Sequence, residues 1–521
     1  MSTKTAAVAT PHPAAAAAGR DVLLRGGNAV DAAVGAMLAC CVAVPGGVGL
    51  GGYGGSLVAY LARERKAVAI DFDSRAPLAF RPELFSSRKL FDAGYLSVTV
   101  PAVVAGLELA RERFGTLPWA VLSEPAVALA EGGIPVTPEL KRQLDDWSRK
   151  ADAVSRRALF PGGAVPEAGA VWVQRDLAGL LRRLAAEGPA AFYRGDVPRA
   201  IVRQIREHGG ILAEEDFERY RPEVTEPLAI DYRGYRVLTP PPPSGGLTTS
   251  QMLKVLEQFD VPGLPPWGAD YFHLIVEAAK LSWEDRAAYL GDPDVTPIPV
   301  DRLLSDEAAR AKAARIRNGD VIRANGGLPS PPHTANIVAA DAAGNIVSAT
   351  ATHGNLYGSL VAIDGLGVVM GHGMSRFDSP GGSPNAPAPG KRMAHNMAPT
   401  VLLGPGGKPF AAVGLPGGPK IVTITAQLVA SLVDFRSDPV AAARAGRAHA
   451  EADGAVAVSA AVPDSVVERL RALGHTVRRG QEAGGPPGEV GGPANVVVID
   501  PDTGAVSAAS QAGDAAAVTL G

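Results

Sequence analysis

The chain has 521 residues, enough for one large domain or several ordinary ones. Apolar residues make up 46% and charged residues 20%, the balance of a soluble globular protein, and a net charge of −3 supplies no field for nucleic acid or an anionic membrane. Its two cysteines, Cys40 and Cys41, are neighbours that point about 100° apart on a helix, so no disulfide framework or zinc spacing is present and a reducing cytoplasm is the expected setting. Residues 1–20 carry an alanine run but no stretch rich in Leu, Val or Phe, and they read as mature protein without a signal peptide. The longest apolar stretch, residues 32–44, is too short to span a bilayer and is expected as a buried helix.

Residues 12–44 have a helical pattern broken by Arg25-Gly26-Gly27-Asn28, where the glycines end one helix and Asn28 caps the next. A glycine-dense stretch, residues 46–55, leads into strands around 56–60 and 66–72. It precedes a strand and lacks GK[ST], so close backbone packing or a site wall is expected of it, and not a phosphate cradle. Residues 107–114, 121–131 and 177–186 read as amphipathic helices. A strand at 232–238 stops at Pro240, Pro241, Pro242 and Pro243, and helices follow at 250–258 and 270–289. Residues 318–332, with Asn325-Gly326-Gly327 and three prolines, mark an exposed loop. Beyond it the pattern alternates, giving strands at 336–340, 346–352 and 365–370 and further candidates at Leu402, Val413 and 496–499.

The chemistry sits in the first of these hairpins. Ala342-Ala343-Gly344 suits a three-residue loop with glycine in the left-handed position, which sets Asp341 opposite Asn345. Counting outward from that pair brings Thr352 opposite Thr334, with Cβ atoms about 5 Å apart and hydroxyls within reach. A neutral hydroxyl is a poor nucleophile without a base. Cutting the chain between His333 and Thr334 gives Thr334 a free α-amino group with a reference pKa near 8, able to take the hydroxyl proton. Thr352 then orients the Thr334 oxygen. The alternative is an ordinary hairpin with two surface threonines.

Other segments connect this hairpin to a known family. Gly26-Gly27-Asn28-Ala29-Val30-Asp31-Ala32-Ala33, Pro241-Pro242-Pro243-Ser244-Gly245-Gly246, Asp285-Arg286 with Tyr289-Leu290-Gly291-Asp292-Pro293-Asp294, Gly390-Lys391-Arg392 with Met397-Ala398-Pro399-Thr400, and Gly414-Leu415-Pro416-Gly417-Gly418 resemble, in order, the motifs of gamma-glutamyltransferases. The resemblance runs from about residue 12 to the C-terminus. It implies an α+β fold, the four-layer αββα sandwich of N-terminal-nucleophile hydrolases. It also implies a precursor cut before Thr334 into fragments 1–333 and 334–521 that stay together as a heterodimer, with the backbone N–H groups of Gly417 and Gly418 as the oxyanion hole. No cofactor, metal, nucleic acid or membrane is expected, only a small-molecule substrate.

The chain departs from the family where a glutamyl head group is held. The family's arginine follows an Asp-Phe pair, whereas Asp71-Phe72 is followed here by Asp73, with Arg75 two residues on. The family's amino-binding aspartate precedes a phenylalanine, whereas Arg376 precedes Phe377 here, and a serine pair is replaced by His395-Asn396. Exchanged charges beside a zwitterionic head cost several kcal/mol in a confined site. Asp73, Arg75, Arg376, His395 and Asn396 are therefore candidates for binding a non-glutamyl substrate, unless Asp73 and Arg376 simply pair with each other. One branch resembling this chain serves 4-alkylproline antibiotic biosynthesis through C–C bond hydrolysis. The competing expectations are a glutathione hydrolase or transpeptidase and an unprocessed, non-catalytic binding protein.

Overall fold

The computed structural model describes residues 5–84, 87–319, 321–322, 333–480 and 488–521. Strands β1 (Ala6–Ala9), β2 (Gly54–Leu61), β3 (Lys66–Asp71), β4 (Glu223–Thr225), β5 (Leu228–Tyr232), β6 (Tyr235–Thr239), β7 (His333–Ala340), β8 (Ile346–Gly354), β9 (Thr400–Leu403), β10 (Pro409–Gly414), β11 (Asn495–Ile499), β12 (Val506–Ser510) and β13 (Ala517–Leu520) build two sheets. The first runs β13-β1-β7-β8-β2-β3-β4 and the second β12-β11-β10-β9-β6-β5. Every neighbouring pair in both is antiparallel.

The period-2 alternation of the strands decides what each face meets. In β7, Val338 and Ala340 pack between the sheets against Val401, Ala412 and Val497. Ile337 and Ala339 point the other way, into helices α1 (Pro13–Leu24), α2 (Ala29–Ala43), α3 (Val103–Phe114), α4 (Trp119–Gly132) and α5 (Arg175–Glu187). Helices α6 (Gly246–Leu256), α7 (Ala269–Tyr289) and α8 (Lys420–Val433) cover the second sheet. The layers are thus helix, sheet, sheet, helix, as expected.

Helix α2 is buried along its whole length, which explains why residues 32–44 are apolar all round. Its start is fixed by a capping box: Asn28 accepts from the Asp31 N–H and Asp31 accepts from the Asn28 N–H. Cys40 and Cys41 are buried free thiols within it, and burial pushes the Cys41 thiol up to about 12. No helix among the described residues is long and apolar enough to cross a membrane.

Two strand expectations are corrected. Residues 232–238 form a hairpin, not one strand, because Arg233 and Gly234 take φ of 49° and 83° and turn the chain between β5 and β6. Residues 365–370 shrink to a two-residue bridge, Val368–Val369 with Ala362–Ile363, because Gly365 and Gly367 also sit at positive φ. Most of the expected loop at 318–332 lies outside the described residues.

Strands from before and after Thr334 interleave: β1 hydrogen-bonds to β7 on one side and β13 on the other. A buried ion network adds a second tie. Arg392 binds Asp292 through Nε at 3.1 Å and Asp71 through Nη1 at 2.8 Å, with its side chain 6% exposed. Its N–H also donates to Asp292. Arg392→Met strands two buried carboxylates without their cation and is expected to cost about 3–5 kcal/mol. The check is urea unfolding, where an unchanged midpoint refutes this role for Arg392.

Candidate active site

Between β7 and β8 the register follows the count from the Ala342-Ala343-Gly344 loop, with Ile346 opposite Ala340 and Ala351 opposite Ala335. Gly344 has φ of 84°, the left-handed conformation that loop requires. Past Ala351 the pairing slips, and Gly354 comes opposite His333. The slip leaves Thr334 and Thr352 side by side at the strand ends, with their hydroxyl oxygens 3.1 Å apart. Gly354 N–H donates to Thr352 Oγ1 at 2.8 Å and fixes that hydroxyl. Gly354 has φ of 102°, and a Cβ there would fall 2.1 Å from His372 Nε2, so only glycine fits.

The glycine-dense stretch forms the wall behind this pair. A Cβ on Gly47 would sit 3.4 Å from the Thr334 carbonyl, and one on Gly49 would collide with His353 at 2.7 Å. The Gly47 carbonyl accepts from His353 N–H. Close backbone approach, not phosphate binding, is what these glycines provide. His372 supports the turn from below: its Nε2 accepts from Asn355 N–H and its Nδ1 donates to the Asp92 carbonyl, which sets one neutral tautomer. Burial pulls it down to about 3.

On the facing sheet, β10 ends at Gly414 and the chain turns through Gly417 and Gly418 into α8. Their φ values of 155° and 55° are both positive, and the first lies outside the left-handed region that other residues share. The carbonyls of Gly417 and Gly418 accept from Lys420 and Ile421, so they are spent on the first turn of the helix. Asn336 couples this loop to the strand that carries Thr334. Its Nδ2 donates to the Thr350 hydroxyl at 3.0 Å, and its carbonyl accepts from Asn495 at 2.8 Å. A Cβ on Gly414 would fall 2.2 Å from that same Nδ2.

Thr334, Thr352, Gly418, Tyr53, Arg376 and Asn396 line a chamber of about 20 Å³, room for one water-sized group. Arg376 and Asn396 also line a neighbouring cavity of about 410 Å³, whose walls include Arg88, Asp92, Trp283, Arg286 and Asp378. The two side chains therefore stand where the spaces meet. Arg376 donates to the Ser375 hydroxyl through Nε and Nη2, at 3.0 and 2.9 Å. The side-chain oxygen of Asn396 is buried without a hydrogen-bond partner among the described residues.

The remaining candidates are placed differently. Asp73 is buried against His395 Nε2. His395 Nδ1 accepts from Met397 N–H at 3.2 Å, which puts the ring proton on Nε2, facing Asp73. Burial pushes the Asp73 carboxyl well up and His395 down to about 3, so the ring is neutral near pH 7. Asp73 thus faces a neutral His395, where pairing with Arg376 was the alternative. Arg75 is not brought to either space. It binds the Gly390 carbonyl at 3.2 Å and Glu223 at 3.1 Å, beside the Arg392 network, because its backbone pairs with that of Arg392 in an isolated antiparallel bridge. Of His333 the structure describes only its place in β7.

Tyr53, Trp283, Arg286 and Arg88 were not singled out from the sequence. Arg286 lies in a quoted motif, and Tyr53 in the glycine stretch, but neither position carries a spacing that signals a pocket. Among the described residues, His273, Glu277 and His475 are the group with the composition of a metal site. There His273 Nδ1 and His475 Nε2 hydrogen-bond each other at 2.8 Å and Glu277 pairs with Lys280 at 2.7 Å. These bonds make it a polar pin between α7 and the C-terminal part.

Comparison with known proteins agrees with this geometry. Residues 15–518 match the gamma-glutamyltranspeptidase family. The Acylase ACY 1 proenzyme of Pseudomonas sp. (strain SE83) is 36% identical, over 98% of this chain and 93% of its own length. A glutathione hydrolase proenzyme of Bacillus subtilis (strain 168) is 30% identical, over 91% of this chain and 85% of its own. The crystal structure of cephalosporin acylase from Bacillus halodurans superposes with a TM-score of 0.91 at 30% identity, covering 99% of this chain and 96% of that one. A hydroxyl pair at a strand start, a glycine turn facing it and an αββα sandwich together carry one conclusion: the chain belongs to the gamma-glutamyltranspeptidase family and is an N-terminal-nucleophile hydrolase or acyltransferase.

Proposed function

We propose that the protein is a self-processing acylase that hydrolyses amides whose acyl group ends in a carboxylate and lacks the α-ammonium of glutamate. The observation that carries this is Arg376 at the meeting point of the nucleophile chamber and the larger cavity. A substrate ammonium there faces a guanidinium, while a carboxylate gains charge-assisted hydrogen bonds. Asp73, which stands where the family's arginine follows the Asp-Phe pair, is engaged by His395. The acylases among the relatives agree with this reading.

In this reading the chain cuts itself ahead of Thr334, and the freed amine becomes the base. It takes the Thr334 hydroxyl proton, directly or through one water, as the oxygen attacks the substrate carbonyl. Thr352 orients that oxygen from 3.1 Å. The N–H groups of Gly417 and Gly418 stabilise the tetrahedral oxyanion, the amine leaves with a proton, and water releases the acid from the threonine ester. The two fragments stay joined as a heterodimer, and the cytoplasm is the proposed location.

Glutaryl-p-nitroanilide and γ-glutamyl-p-nitroanilide differ by one ammonium group, so they isolate the charge at Arg376. For the wild type, kcat/KM is expected to be at least about 100-fold higher for the glutaryl compound. A preference for the γ-glutamyl compound would sink the proposal and leave the glutathione-hydrolase reading. The same nucleophile and oxyanion donors suit attack on a ketone or vinylogous acyl carbon. Turnover of such a ketone with neither anilide cleaved would select hydrolytic C–C cleavage, as in 4-alkylproline antibiotic precursors.

A further inference from the structure

The larger cavity holds more cationic donors than its own anions use. Three guanidinium groups, from Arg88, Arg286 and Arg376, border it with two carboxylates, Asp92 and Asp378. Arg88 is committed to protein, donating to the carbonyls of Phe377 at 2.9 Å and Ser375 at 3.1 Å. Arg376 is held on Ser375. Arg286 is different. Its Nη2 donates to the His395 carbonyl at 3.0 Å, and its guanidinium lies 5.0 Å from the Trp283 ring centroid. Its Nη1 is shielded from water and has no hydrogen-bond acceptor among the described residues.

A second donor next to it is in the same condition. Trp283 Nε1 is also buried and without an acceptor among the described residues. The two residues are three apart on α7, so they share a helix face, and both border the cavity. Two unpaired donors on one wall, one of them cationic, match the two oxygens of a carboxylate. Burial pulls the Arg286 guanidinium down to about 10, with Asp378 the one carboxylate opposing that shift. A charge that burial penalises in this way gains from an anion entering the space beside it. The cavity volume of about 410 Å³ lies in the usual range for small-molecule sites.

We propose that Arg286 and Trp283 form a carboxylate seat on α7 that receives the far end of a dicarboxylic acyl group, making them specificity-determining residues for a diacid-derived substrate. The proposal rests on the acylase reading and adds where the tail is held. Arg376 and the α7 seat border the same cavity, and together they hold the one free carboxylate of the acyl group. Asn396, bordering both spaces, lies along the path between them.

The test compares glutaryl-p-nitroanilide with its neutral isostere, the glutaramyl anilide, in which an amide replaces the terminal carboxylate. Wild type, Arg286→Met, Arg286→Lys and Trp283→Phe are purified and checked for the fragments that self-cleavage yields. In Arg286→Met the ratio of kcat/KM for glutaryl over glutaramyl is expected to fall roughly 10- to 100-fold, mainly through KM. Arg286→Lys recovers part of the ratio, since it restores charge without the planar fork. Trp283→Phe, which keeps the ring and removes only the N–H, lowers the ratio roughly 3- to 10-fold. A ratio unchanged in both Arg286→Met and Trp283→Phe overturns the seat. If Arg286→Met does not process itself, Trp283→Phe decides. A wild type that prefers γ-glutamyl substrates overturns the acylase reading instead, so the two failures are distinct.

Discussion

Thr334→Ala is expected to stay a single full-length chain and to lose at least about 10⁴-fold in amide hydrolysis. Both losses have one cause. In the proposed mechanism the Thr334 hydroxyl attacks the bond ahead of it in the precursor, and the same oxygen attacks the substrate in the mature enzyme, so one atom serves two reactions. Thr334→Ser keeps a hydroxyl at the position and is expected to retain cleavage and measurable turnover. Thr352→Ala removes a neighbour that orients the oxygen from 3.1 Å and not the oxygen itself, so a smaller loss, about 10- to 100-fold, is expected. Gel electrophoresis and N-terminal sequencing of the smaller fragment check this. A new terminus at any residue other than Thr334, or an active Thr334→Ala protein, contradicts the assignment.

Arg376→Asp is expected to reverse substrate preference, lowering the glutaryl over γ-glutamyl ratio of kcat/KM by about 10³-fold. The estimate has two parts. Loss of a charge-assisted hydrogen bond to the acid substrate costs about 2 kcal/mol, and gain of a partner for the ammonium returns a similar amount. Together they approach 4 kcal/mol, close to three powers of ten. The position is suited to such a reversal because it touches both the nucleophile chamber and the outer cavity. Arg376→Gln, which removes charge without inverting it, should fall between. A ratio indifferent to both substitutions shows that Arg376 does not read the acyl group.

The sequence made the nucleophile hairpin legible because its information is local. A glycine that must adopt positive φ fixed the loop, the loop fixed the register, and the register brought two threonines together. The one-residue slip past Ala351 was not visible, since it depends on how Gly354 packs against His372. The αββα layering followed from ordered motifs. The β5–β6 turn was missed because Arg233, a residue without turn preference, takes φ of 49° beside Gly234. Arg75 was assigned to substrate by its distance from Asp71-Phe72 in the chain, but two residues along an extended backbone are enough to turn a side chain to another neighbourhood. The α7 seat was invisible for a different reason. Its cavity is walled by segments near residues 88, 286, 376 and 396, and no spacing within one segment encodes their meeting.

The placement of β1 between β7 and β13 has a consequence for the history of the molecule. A strand wedged between two from the other side of Thr334 cannot be withdrawn without tearing ladders on both of its edges. The continuous precursor is the form in which those three strands find each other with their connectivity intact. The scission proposed ahead of Thr334 would erase the route by which the sheet was built while leaving the sheet in place. An enzyme cut in this way would be the product of a template it no longer possesses, and its barrier to coming apart would then set its lifetime.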